Sequence, residues 1–283
     1  MAVEKAPPPK PPRKWRRRLK ITLIIVVVLG LGGAVAWRAM FWMPGESFAG
    51  PLPPLAPEAG TLAEELRRDV VRLAGDIGER NLRRYPQLIK AARHIESQLR
   101  SAGYDVSRQV YEVVAFTNEE PPYFQRPTMG SWAYAHRSRE RDENLVCVLS
   151  LETLGYYSDD AESQRYPPPL GMVYPSVGNF VGVVGNVGSR PLVHRVLTSL
   201  RQNMKFPTEA GAVPNVVPGV GWSDHWSFWQ EGYQAVMITD TAVFRNPNYH
   251  RAGDTPDTLD YERMARVVEG IEHVIREVAA GKW

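Results

Sequence analysis

The chain has 283 residues, of which 43% are hydrophobic, with a net charge of +3 and a single cysteine. Residues 1–20 hold eight Lys and Arg against Glu4 alone, an excess of +7, so 3 − 7 = −4 is left for the rest, which argues against a nucleic-acid-binding body. One cysteine, Cys147, excludes an internal disulfide and leaves stability to the core; within LVCVLSL it reads as a buried strand residue.

The basic arm 1–20 runs into Ile21 to Trp37, a stretch without charge that approaches the roughly 20 residues of a bilayer span when extended to Met43. Residues 21–43 read as one transmembrane anchor, with Trp37, Phe41 and Trp42 suited to the interface. By the positive-inside rule the arm stays cytoplasmic and the main domain is exported, periplasmic or extracellular. Ala34-Val35-Ala36 also offers a signal-peptidase site, but the long basic region ahead of the apolar run favours a retained anchor.

Residues 44–60 are rich in proline and read as a stiff linker. The domain is expected over 61–283. Thr61-Leu62-Ala63-Glu64 has the form of a capping box opening a helix, and a second helix is expected from about Pro86 to Ala102, ended by Gly103. Val106 to Val113 alternates like a half-exposed strand, whereas Val114 to Phe116 is the short apolar run of a buried one. Further strands are expected at Leu145 to Leu151, Phe180 to Val184 and Ala235 to Thr239, with helices at Pro191 to Met204 and Tyr261 to Ala280. Strands alternating with helices predict an α/β three-layer sandwich with a mostly parallel central sheet.

In such sheets ligands gather at the carboxyl ends of the strands. Glu119 and Glu120 follow one expected strand, Glu152 a second and Asp240 a third, and the turn-rich loop around His250 can reach the same rim. Like charges grouped there need a cation or raised pKa values. Carboxylates with an imidazole suit zinc; a solvated acidic loop is the plainer alternative. Gly221-Trp222-Ser223-Asp224-His225 is not a catalytic triad, because a triad is assembled from separated positions. Trp222, Trp226, Phe228 and Trp229 suit core packing better than a specificity pocket.

VAFTNEE, LETLGYY and GWSDHWSFWQEGYQAVMITDTAVFRNPNYHRAGDTPDTLDY together resemble the co-catalytic zinc exopeptidases that include aminopeptidase Y and bacterial leucyl aminopeptidases. The resemblance runs from about Thr61 to the end. It implies Glu119 as general base, Glu120, Glu152 and His250 as metal ligands, zinc as cofactor, and a peptide or small amide as substrate, with no nucleic-acid partner. It also exposes a departure: the family's block between the strands matched by VSRQVYEV and VAFTNEE is missing near 113–114, and neither His-Tyr-Asp nor Asp-Asp-Asn occurs in the chain. Two of five usual ligands are therefore unmatched, and one zinc ion or none is expected in place of two. Impaired hydrolysis, a non-catalytic binding or scaffold protein, and an incomplete product of an active enzyme's gene are the three readings that remain.

Overall fold

The computed structural model describes residues 13–103 and 114–283. The expected strand at Val106 to Val113 lies outside the described residues. Helix α1, Arg13–Phe41, belongs to one compact unit that ends at Trp42, and Met43–Trp283 form a second. Within α1 the stretch Arg17–Phe41, whose most apolar 18 residues have a mean hydropathy of 2.4, is long and apolar enough to cross a membrane; its 25 residues extend about 37 Å at helical rise.

In the second unit residues 43–56 dock onto the body before any helix starts. Arg201 Nη1 donates to the carbonyls of Pro44 and Gly45 at 2.7 and 2.8 Å, and Leu52 packs against the core. Helix α2, Pro57–Val70, begins one turn earlier than the capping-box pattern predicts. Pro57 at the first turn presets the helical φ, and the Thr61 hydroxyl bonds back to the Pro57 carbonyl at 3.2 Å inside the helix instead of capping it. A π-helical turn, Val71–Ile77, and helix α3, Tyr85–Ser101, follow, and Gly103 (φ 84°) ends the latter in the left-handed conformation expected of it.

Among the described residues the sheet has four strands, β1 (Val148–Glu152), β2 (Val181–Gly185), β3 (Thr208–Ala212) and β4 (Ala235–Thr239), in the order β1-β4-β2-β3. β1 runs parallel to β4 and β2 parallel to β3, while β2 and β4 are antiparallel. β4, apolar along AVMIT and buried at every position, is central. Alternation divides the sheet into two faces. On one, Val181, Val183, Val236 and Ile238 pack against helix α5, Arg190–Asn203, and helix α7, Tyr261–Ala279, through Val193, Val196, Leu197, Leu200, Val267 and Ile271. α7 in turn carries α2 on Tyr261, Met264 and Ala265. Helices α4 (Gly130–Glu140) and α6 (His225–Gln230) lie together beyond the other face, joined by Ser131 Oγ and Ser227 Oγ at 2.9 Å. The result is a helix–sheet–helix layering.

Val114 to Phe116 is not the strand that its apolar run predicts. It joins no ladder among the described residues, and Val114 is 40% exposed. Phe116 anchors it, its ring 5.5 Å from Tyr134 and 6.1 Å from Phe228. Among the described residues β1 lies at the sheet edge with no strand on its outer flank, and Val114 to Phe116 pair with none.

Candidate functional site

Glu152 ends β1, and Asp240 directly follows β4, its parallel neighbour, so the two share one end of the sheet. Thr153 and Thr241, the residues that turn the chain away, have φ of 43° and 73°. A β-branched residue is strained at positive φ and persists only where its surroundings dictate it. Asp240 is what dictates it here. One carboxyl oxygen accepts from Thr153 Oγ1 at 2.8 Å and Ala242 N at 2.9 Å, the other from Gly155 N at 2.9 Å and Tyr156 N at 2.8 Å. With 2% exposure and four donors, Asp240 is a structural clasp rather than the rim carboxylate that its position suggests.

The acidic pair arrives on the opposite side. Gly130, at the start of α4, donates its N–H to Thr117 O at 2.8 Å, and a Cβ there would stand 2.8 Å from that oxygen and 2.9 Å from Thr117 N, so only glycine permits the contact. Asn118 then takes a positive φ of 60°, its side chain donating to Thr128 O at 3.2 Å, and Glu119 and Glu120 follow.

Glu120 Oε1 and His250 Nε2 lie 3.0 Å apart, and the imidazole stacks on Tyr249 with centroids 4.0 Å apart. Glu152 is held elsewhere: its Oε2 accepts from Ser223 Oγ at 2.9 Å, and Ser223 is 3.1 Å from Ser150 Oγ. Electrostatics join what hydrogen bonds do not. Burial, reinforced by Glu152, Glu120 and Asp224, pushes the Glu119 carboxyl up to about 8. Burial raises Glu152 to about 6 against the lowering effect of the Ser223 hydroxyl, with Glu120, Asp224 and Asp240 adding to the rise. Burial also raises Asp224, and burial with Glu152, Glu120, Glu119 and Asp240 raises the Tyr249 phenol.

No group of three or more His, Cys, Asp or Glu side chains converges as a metal site among the described residues. Glu120 and His250 meet, Glu152 stands apart on Ser223, and Asp240 is consumed by backbone donors. This donor set does not fit the two-ion centre that the resemblance implies. The Ser223-Asp224-His225 run is no triad either: Ser223 points at Glu152, while buried His225 meets the Val220 carbonyl at 2.8 Å through Nε2 and is pushed down to about 4 by burial.

Beside Glu152 and Tyr249 a pocket of about 120 Å³ opens to solvent, walled by Tyr166, Tyr174, Phe180, Trp222 and Phe244. Trp222, 48% exposed, stacks on Phe244 at 6.2 Å, so it belongs to this wall, while Phe228 and Trp229 are core residues as expected. Sequence reasoning missed the pocket, because Tyr166 and Tyr174 sit in an irregular segment with no periodicity to mark them.

The chain is 38% identical over 185 residues to the uncharacterised protein YfbL of Escherichia coli K12, an alignment that covers 65% of this chain and 54% of that protein. It therefore spans about half the length of this relative. Among solved structures, LapA aminopeptidase of Legionella pneumophila aligns at 20% identity and a TM-score of 0.41, over 53% of this chain and 36% of its own. LapB of the same organism aligns at 18% and 0.43, over 64% and 42%. The family model for Peptidase family M28 matches residues 88–275, well over half of the chain, and the chain belongs to that family.

Proposed function

We propose that this chain is a membrane-anchored, aminopeptidase-type protein that receives the amino-terminal residue of a peptide or small amide at the acidic rim, with the side chain entering the adjoining pocket. The observation that carries this reading is the opening of an aromatic pocket directly beside Glu152 and Tyr249. A rim of carboxylates suits a free ammonium group, and aromatic walls suit the side chain next to it.

Glu119 is assigned proton transfer. Burial and the neighbouring carboxylates raise its carboxyl to about 8, and a cation held by Glu120 would offset part of that rise, so the group is suited to exchange a proton near neutral pH. Glu120, Glu152 and His250 are assigned as the metal-facing residues, oxygen and imidazole donors of the kind zinc takes. Fewer than two ions per chain are expected, and hydrolysis is correspondingly impaired. Arm 1–20, anchor 21–43, linker 44–60 and domain 61–283 are the proposed organisation, with the domain exported.

Incubating the full chain in detergent with amino-acyl anilides, with and without zinc, tests the reading. Slow hydrolysis that Glu119→Gln and a chelator both abolish is expected, with zinc content below two per chain. Two tightly bound ions would overturn the impairment. Complete inactivity would favour a non-catalytic binding protein, a reading supported by the lack of a three-donor group among the described residues. Retention of the anchor is tested by the mass of the membrane-extracted protein, which cleavage after Ala36 would reduce.

A further inference from the structure

The pocket beside the rim contains a second carboxylate that the assigned chemistry leaves unused. In the sheet Glu152 is in register with Thr239, Thr239 with Gly182, and Gly182 with Glu209. These four residues form one row from edge to edge, on the face turned away from α5. Neighbouring strands stand about 4.8 Å apart, so three steps separate the ends of the row by about 14 Å. Gly182 adds no side chain to the floor between them. Gly211, two residues beyond Glu209 on the same face, lets the wall close: a Cβ there would stand 2.6 Å from the Tyr174 hydroxyl, which donates to Ala210 O at 2.8 Å.

Glu209 is half-buried, lines the pocket and has no hydrogen-bond or ion-pair partner among the described residues. Burial raises its carboxyl above the usual range, and Arg201 offsets this only in part. Arg201 directs its guanidinium elsewhere, to Thr208 Oγ1 and O at 3.0 Å and to the carbonyls of Pro44 and Gly45. The walls near Glu209 are aromatic, with Tyr166 and Tyr174 at 5.7 Å between centroids. A partly desolvated carboxylate at the far end of an aromatic slot matches one chemistry, a cation on an apolar stem.

Resting on the proposed function above, we propose that this pocket selects a basic amino-terminal residue, its aliphatic stem lying between the aromatic walls and its ammonium or guanidinium group ending on Glu209. Lysine, with a four-carbon stem, is the simplest example. A purely aliphatic side chain would bury Glu209 without a partner, and that cost is the source of the selectivity.

Calorimetric binding of L-lysinamide and L-norleucinamide to the full chain in detergent, with chelator present, tests the proposal without relying on turnover. Both amides present the same α-ammonium group, so their difference reports the far end of the side chain. Lysinamide is expected to bind at least about tenfold tighter; Glu209→Gln should erase the difference with norleucinamide unchanged, and Glu209→Asp should retain part of it. Equal binding by the wild type, failure of both amides to bind, or a preference that survives Glu209→Gln would overturn the proposal. Should Glu209→Gln not fold, the wild-type comparison decides alone. Selective binding without anilide hydrolysis would remove the hydrolytic reading and leave this one standing, whereas hydrolysis without a lysine preference would do the reverse.

Discussion

His250 Nε2 meets Glu120 Oε1 at 3.0 Å while both side chains stay more than half exposed, at 55% and 62%. A contact so accessible to water contributes under about 1 kcal/mol to folding. His250→Ala is therefore expected to move the melting temperature by no more than about 4 °C, while abolishing any zinc-dependent hydrolysis. Thermal melts by circular dichroism, run beside anilide assays, check both halves; a large fall in melting temperature would make the pair structural.

Glu119 ties stability to pH. Its folded-state pKa of about 8 lies above its ordinary 4.5. Between those values the folded chain binds more proton than the unfolded chain, so this residue's contribution is complete below pH 4.5 and is lost as pH rises toward 8. In chelator, Glu119→Gln should be more stable than the wild type at pH 8 and nearly equal to it at pH 4.5. Urea unfolding at the two values measures this, and an unchanged difference would contradict it.

Asp240 stands at the opposite extreme of tolerance. Replacing it with alanine leaves three backbone N–H groups and the Thr153 hydroxyl without their acceptor. Each orphaned buried donor costs about 1–3 kcal/mol, so Asp240→Ala should lower stability by roughly 4 kcal/mol or more. Asp240→Asn keeps one acceptor oxygen and should fall between it and the wild type, a ranking that denaturant midpoints will establish.

Gly130→Ala tests how the acidic pair is held. The new methyl group would press on the Thr117 backbone, two residues before Glu119. A loss of about 1–3 kcal/mol is expected, along with a fall in any Glu119-dependent activity larger than the same stability loss causes when introduced by Leu200→Val, in the core away from the rim.

The elements legible in the sequence were those with long or saturated apolar patterns. β4 matches its expected limits and α5 and α7 match to within a residue or so, because AVMIT is buried throughout and both helices carry continuous apolar stripes. β3 escaped, since Thr-Glu-Ala-Gly-Ala has one β-branched residue and no alternation; with it went Glu209, whose meaning depends on three successive strand pairings. α4 and α6 also went unforeseen, the first short and polar, the second six residues long. At the rim, the meeting of Glu120 with His250 could be anticipated from the family resemblance. The role of Asp240 could not: strand-end position marks a carboxylate for the rim, and only the strained turns on either side reveal that backbone donors occupy it.

Among the described residues β1 borders the sheet, with β4 on one flank and no strand on the other, and Leu151 on it is 53% exposed. A row of amides and carbonyls unpaired among the described residues, beside an uncovered leucine, is a template for another extended chain. Self-association should consequently scale with protein concentration, and a lysine at position 151 should suppress it at little cost to folding.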